Sequence, residues 1–492
     1  RAYYDETPRE DLVARHRREI FPLFRKRALF AGVDLFRLYD FVRPDGEVDE
    51  NVLVFSNGTD GERALVVYHN RYAETRGWIR RSAAAAGKTV SLAEGLGLPD
   101  DPSAWVVFKD AVSGLEYIRG AGELAREGLH LEPAAYSRAV YTGFRLVRDD
   151  ERRLYARLAA ALGGRGTVDV ERAAVDLRLR PVQAAFRELA NAGFFDWLMT
   201  KRIFRPGRPL DPEPGRQAGE KARAFAEAVA RTIAEDEPRP RKAIDPEEIA
   251  AAARREFETI LRLPVLEKRG RASGSRTFQE ALRFLKSALD GPAAPGKKPG
   301  RRRPGAKPHA SRLKAGLDPR TAWISLFCGA VLRTAGRTAD KESPAGWIEA
   351  WGLDRIIDDA WRETGCAGEG RPNVPAIFQA LEEYGGGIDP NRSAAANARR
   401  LAGIITGDDR FRRALGLNRW QGIEYFHQEA FDALRWLLAA GAVCRATGSG
   451  RGGITAQAAR AISRAFAVSD ILRKAERKSG FETAKLRAAL GA

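Results

Sequence analysis

Two short apolar runs on either side of a turn-rich link constrain this chain more than any other stretch. Val52 to Ser56 is apolar and β-prone, and Arg63 to His69 is a second run of the same kind. Between them, Asn57-Gly58-Thr59-Asp60-Gly61 gathers residues that tolerate positive φ or bond their own backbone. Such a pattern predicts an antiparallel hairpin. Its link is longer than the tightest hairpin turn, so an open loop or a bulge is expected. Both runs are apolar at nearly every position, which predicts cover on both faces and burial of Val54, Phe55, Val66 and Val67.

The residues after the hairpin continue the β signal with some helix. Thr89 to Leu92, Trp105 to Asp110, Leu129 to Leu131 and Ala139 to Phe144 read as further strands. Short strands split by Gly, Pro and Asp predict a β-sandwich-like domain. From Asp149 the period changes. Leu154, Leu158 and Leu162 recur every four residues and Gly163-Gly164 ends the run. One or two helices follow over 168–191, interrupted at Pro181. Ile203 to Arg216 is Pro-rich and reads as loop, and Ala218 to Ala234 as helix. Asp245-Pro246-Glu247-Glu248 and Asp318-Pro319 are helix starts: Asp caps, and Pro suits the first turn. Ser343-Pro344 opens another, and later helices are expected near 373–384, 393–415, 421–442 and 455–478. The expected class is α+β and multidomain. Its divisions are 1–47, 48–147 (β), 148–289 (helical), 290–316 (linker) and 317–492 (helical).

The hairpin and its flanks carry a resemblance. Val52-Leu53-Val54-Phe55-Ser56, then Asp60-Gly61-Glu62-Arg63, then Ala64 to Asn70 resemble the segment where the barrel of α-amylase-family enzymes (glycoside hydrolase family 13) gives way to their C-terminal β-domain. The flanks are similar to one subgroup, long bacterial amylase-like proteins with an extra helical C-terminal part. Those flanks are RHRREIFPLFRKRALFAGVDLFRLYDF from Arg15, NRYAETRGWIR from Asn70, VSGLEYIR from Val112 and LNRWQGIEYFHQEAFDALRWLL from Leu417. The likeness is closest over 1–150, thinner to about 205, and returns near 417–438. It implies that residues 1–47 are the last helix and exit of a barrel, that 48–147 form the β-domain, and that the helical remainder is accessory. It further implies an α-glucan substrate held by a barrel upstream of Arg1, with retention of configuration.

Glycoside hydrolysis with retention needs two carboxylates about 5–5.5 Å apart. The family's strand-end Asp and Glu and its Asn-His-Asp motif do not occur in this chain. The sequence therefore assigns no catalytic, cofactor-binding or metal-ligating residue, and the fragment is expected to be inactive. Asp34, Asp40 and Asp45 stand nearest the implied barrel and read as turn or surface acids. Ser82 to Thr89 is half a phosphate loop, with Ser82 where the first Gly belongs, and reads as a strand connection through Lys88. Gly448 to Gly453 matches GxGxxG but follows a helical run, and reads as an interhelical loop. His16, His69, His130, His309 and His427 make no metal spacing. Trp78 and Trp105 read as core residues before sugar platforms.

Charge adds one more class of partner. The chain carries +18 net, and residues 290–315 hold eight Lys or Arg against the single acid Asp290. That stretch is Pro- and Gly-rich and cannot build a core, so it reads as a disordered linker. Lys297 to Lys314 lacks the aromatics that stack on bases, which limits it to nonspecific contact with nucleic-acid phosphates. A basic, non-enzymatic helical scaffold for nucleic acid or protein is thus the alternative reading. Cys328, Cys366 and Cys444 are odd in number and widely spaced, which favours a reducing compartment such as the cytoplasm over a disulfide framework. No run approaches the length of a membrane span. The only methionine is Met199 and the first residue is Arg1, so the reading takes the chain as part of a longer protein.

Overall fold

The computed structural model describes residues 9–84, 87–236, 243–265, 276–289, 317–339, 344–368, 371–389, 391–447 and 456–491. The chain is α+β and forms two compact units, Arg1–Arg178 and Leu179–Ala492. None of the described helices is long and apolar enough to cross a membrane. The basic stretch 290–316, His309 and the Gly448–Gly453 match lie outside the described residues.

The first unit opens with α1 (Glu10–Glu19) and the single turn α2 (Phe21–Phe24), then enters strands β1 (Arg37–Val42), β2 (Val52–Gly58), β3 (Arg63–His69) and β4 (Gly77–Ser82). After the single turn α3 (Leu92–Gly95) come β5 (Ala104–Asp110), β6 (Glu116–Gly120), α4 (Ala121–Glu127), β7 (Leu129–Leu131) and β8 (Arg138–Arg148). The helix α5 (Leu154–Leu162) follows, stopped by Gly163 in the left-handed region at φ 55°, and α6 (Val170–Leu189) begins. All eight strands join one curled antiparallel sheet, in the order β6-β5-β8-β3-β2-β1-β4-β7. Of the expected strand at Thr89 to Leu92 only an isolated bridge from Ser91 to Arg81 forms, and α3 begins at Leu92, where Ser91 and Glu94 close a reciprocal capping box.

β2 and β3 pair as the hairpin in uninterrupted register from Val52↔His69 to Gly58↔Arg63. The link is four residues, closed by Thr59 N–H donating to the Glu62 carbonyl at 2.9 Å. Asn57 belongs to the strand. Its side-chain amide donates to the Gly32 carbonyl at 2.8 Å and so ties the strand to the loop before β1.

Cover on both faces is where the sequence expectation fails. Val54 and Val67 are buried, but Phe55 and Val66 are only partly so, while Leu53 is 56% and Tyr68 37% exposed. The buried face packs Tyr39, Phe41, Val54, Leu65, Ile79 and Phe108 into one core beneath α3 and α4. On the opposite face, α5 and α6 supply Leu158, Val170 and Ala174 against Val107 and Ile118. Alternation along a pleated strand then decides burial residue by residue. One close approach demands glycine. A Cβ on Gly128, at φ 77°, would lie 2.1 Å from the Ile79 carbonyl oxygen.

The second unit is almost entirely helical. It continues α6, then α7 (Ala192–Thr200), α8 (Glu213–Asp236), α9 (Pro246–Leu261), α10 (Arg276–Leu289) and α11 (Pro319–Thr338). Next come α12 (Pro344–Ala350), α13 (Leu353–Glu363), α14 (Val374–Glu383), α15 (Ala394–Gly407) and α16 (Asp409–Ala414). A small hairpin of β9 (Asn418–Trp420) and β10 (Ile423–Tyr425) precedes α17 (Gln428–Thr447), α18 (Ala456–Ser479) and α19 (Thr483–Leu490). α6 runs on through Pro181 rather than breaking there. Val182, Phe186 and Leu189 after the proline are fully buried, and that packing holds the helix against the lost N–H bond. The expected helix over 393–415 divides at Asp408, whose carboxylate caps α16 by accepting from Arg410 N–H. The one expected at 421 starts only at Gln428, after the hairpin. The Pro-rich loop after Ile203 gives way to α8 at Glu213. α11 is the axis of this unit: Trp323, Phe327, Cys328, Val331 and their neighbours are buried on every side.

Candidate functional site

The described residues weighed in the sequence are spread over both units without gathering into one site. Asp45 accepts from Glu47 N–H and pairs with Arg43 in a turn, and Asp34 and Asp40 are exposed. Ser82 is buried and its hydroxyl accepts from Val90 N–H at 3.0 Å, so it closes a strand connection. Lys88 is exposed beside it. Trp105 donates from Nε1 to Asp149 at 2.8 Å, which leaves its ring on the packed side of β5. The Trp78 and His130 rings meet at a tilt of 54° with centroids 4.7 Å apart, and Arg80 lies over Trp78. His69 is buried; Nδ1 meets the Ala134 carbonyl at 2.9 Å and Nε2 has no hydrogen-bond partner. Cys328, Cys366 and Cys444 are buried free thiols. Among the described residues no group of His, Cys, Asp and Glu could hold a metal ion.

Three cavities of the second unit bring charged side chains together. One cavity of about 260 Å³ is lined by Asp354 and Asp358 of α13, by Glu349, by Arg410 and Arg413, and by Asn373 and Gln379. Asp354 and Asp358 are one helical turn apart and share a face. Burial pushes both carboxyl groups above the usual carboxylate range; Arg362 pulls Asp358 the other way without overcoming it. Asp354 Oδ1 is buried without a hydrogen-bond partner.

A second cavity, of about 270 Å³, shares Leu332 and Gln379 with the first. Its polar wall is Arg333, Arg337, Glu382 and Arg445, and its apolar wall is Leu332, Ala345 and Ile348. Arg333 is 6% exposed. Its Nε donates to Glu256 at 2.5 Å and its Nη1 to Glu382 at 3.3 Å. Arg337 completes the pair with Glu256 at 2.8 Å, and Arg445 donates to Glu382 at 3.0 Å. Burial works against the Arg333 charge, but Glu256 and Glu382 outweigh it and hold the guanidinium ionised.

A third cavity, of about 210 Å³, shares Asn373 and Arg413 with the first and adds Arg371, His427 and Glu429. No spacing in the sequence announces these sites, because their walls come from helices far apart in the chain. The available signal was a charged residue inside an otherwise apolar helix, which is how Arg333 sits in α11. Comparison with family models, with curated proteins and with solved structures found no match to the chain.

Proposed function

We propose that this chain is the non-catalytic C-terminal part of an α-amylase-like glycoside hydrolase acting on α-glucans. The first unit serves as its β-domain and the second as an accessory helical part. The observation that carries this reading is the hairpin. The stretch that resembles the family's barrel-to-β-domain passage forms paired strands β2 and β3 in the middle of one antiparallel sheet. In this reading the curled sheet is the counterpart of the family's β-sandwich. β1, from the stretch assigned to the barrel exit, pairs with β2 and β4. The alternative, a basic scaffold for nucleic acid or protein, rests on residues 290–316, which lie outside the described structure, and no observation favours it.

The test is the gene upstream of Arg1. The reading expects a (β/α)-barrel in the same open frame, carrying the family's Asp and Glu and its Asn-His-Asp motif. An initiator Met directly before Arg1, or an upstream domain of another class, overturns it.

A further inference from the structure

We propose that the exposed tyrosine pair of the first unit, Tyr72 and Tyr136, is a surface site that binds a chain of α-linked glucose units. Tyr72 is 83% and Tyr136 55% exposed, and their ring centroids lie 6.1 Å apart with planes 35° from parallel. Tyr72 stands on the loop between β3 and β4, and Tyr136 on the loop between β7 and β8. The backbone ties the two loops together. Tyr136 N–H donates to the Arg71 carbonyl at 3.1 Å, Thr75 N–H to the Pro133 carbonyl at 3.2 Å and His69 N–H to the Ser137 carbonyl at 2.9 Å. The buried His69 ring meets the Ala134 carbonyl at 2.9 Å from the same side of this seam. The pair is thus set in place before a ligand arrives, which lowers the cost of ordering it on binding. Tyr136 also has φ 51°. It is the third residue of a turn closed by Ser137 N–H donating to the Ala134 carbonyl at 3.2 Å, a position where positive φ belongs to glycine. A bulky residue held in that conformation, with most of its ring in solvent, adds strain and little core, and strain of this kind marks functional sites.

The chemistry of the pair narrows the ligand. A tyrosine ring is apolar on its faces and polar at its tip. A pyranose matches it, with C–H groups on its faces and hydroxyl groups round its edge. Beside the rings, the Asn70 carbonyl oxygen accepts from the Tyr68 hydroxyl at 3.1 Å, which leaves the exposed Asn70 amide N–H groups as donors to sugar oxygens. The two loops carry Arg71 and Arg76 against Glu74 and Glu132, all exposed, so they have no net charge, and Arg138 just beyond is paired with Glu19. Single-stranded nucleic acid needs a positive groove behind its stacking rings, whereas a neutral saccharide does not. Two rings out of parallel suit a chain whose successive units turn, as α-links make them, better than the flat ribbon of a β-linked glucan. The choice of an α-glucan rests on the function proposed above; the tyrosine pair itself does not.

Maltoheptaose is the probe, titrated calorimetrically into the full chain, with cellohexaose and oligothymidylate as comparators. Maltoheptaose is expected to bind at least about tenfold more tightly than either comparator. Tyr72→Ala should weaken that binding at least about tenfold, whereas Tyr72→Phe, which keeps the ring, should stay within about threefold of wild type. Tyr136→Gly removes the second ring and relieves the positive φ, so it should weaken binding as much as Tyr72→Ala while the melting temperature holds or rises. No detectable binding of maltoheptaose, equal or tighter binding of either comparator, or unchanged binding in Tyr72→Ala or Tyr136→Gly each overturn the proposal. The gene upstream of Arg1 judges the glycoside-hydrolase reading separately. A barrel there without maltoheptaose binding defeats the tyrosine site alone. Binding that is lost in Tyr72→Ala, with no barrel upstream, upholds the site and defeats that reading alone.

Discussion

Arg435 of α17 and Glu476 of α18 meet across a packed helix pair, Nη1 to Oε2 at 3.4 Å, with both side chains 5% exposed. Asp432 shares the same guanidinium, whose Nε donates to the Ser469 carbonyl at 3.2 Å. Burial, and next the charge of Asp432, push the Glu476 carboxyl up to about 7, against the pull of Arg435 and Arg477.

That shift has a sign for stability. A carboxyl whose folded pKa lies above its unfolded value binds its proton more tightly when folded. Its contribution is complete below about pH 4.5 and is lost as pH rises towards about 7. Glu476→Gln cannot titrate. The difference in melting temperature, variant minus wild type, should therefore grow more positive from pH 5 to pH 8. A difference that stays flat, or falls, contradicts the raised pKa.

The sheet makes a second contrast. Phe41 is fully buried in the core of the first unit, whereas Phe55 is partly exposed and meets Phe36 at 5.6 Å. Phe41→Ala should cost about 3–5 kcal/mol through lost transfer energy and a cavity. Phe55→Ala should cost only about 1 kcal/mol, and Lys88→Ala within about 0.5 kcal/mol. Urea unfolding, read on the transition of the β unit, separates the three.

The physical reasons for what was legible differ by element. Helix starts at Asp245 and Asp318 are local chemistry: each carboxylate accepts backbone N–H groups of its own first turn. The β2–β3 hairpin is local too. β1, β4 and β6 are not. Asp40 faces outward beside the buried Tyr39 and Phe41, Arg80 and Arg81 stand on β4, and β6 buries only Ile118. β1 and β4 exist because they pair with each other across 34 residues of chain, and β6 because β5 holds it at the sheet edge, which the residue pattern of each strand alone does not record. The cavities are the extreme case. Arg333 reaches Glu256 and Glu382 across gaps of 77 and 49 residues.

Pro181 offers a test of packing against propensity. It lies on the exposed side of α6, and its ring denies the helix one N–H bond to Leu177. Pro181→Ala restores that donor and keeps the buried Val182 and Phe186 in place. Against this stands the greater freedom that Ala gives the unfolded chain, about 1 kcal/mol. The expected net effect is a stabilisation of about 1–2 kcal/mol in thermal unfolding. A loss of stability would mean that the fold uses a bend in α6.

The last prediction concerns catalysis. Asp354 and Asp358 are paired carboxyl groups in a cavity, both shifted upward by burial, and so share features with a general acid. Their placement argues against glycoside hydrolysis. Retaining and inverting enzymes flank the scissile bond with two carboxyl groups, one at the leaving oxygen and one across the sugar ring. Asp354 and Asp358 rise from one face of α13, a single turn apart, and the third carboxyl group that lines the cavity, Glu349, pairs with Arg410 at 3.9 Å. Two carboxyl groups on one helical turn do not flank a scissile bond, and the third is engaged by a guanidinium. The purified 492-residue chain should release no reducing sugar from starch, maltodextrin or glycogen at any pH from 5 to 8. Asp358→Asn should leave that null result unchanged. Release that follows the protein through purification, and that disappears in Asp358→Asn, would place a catalytic centre in α13 and refute this geometry.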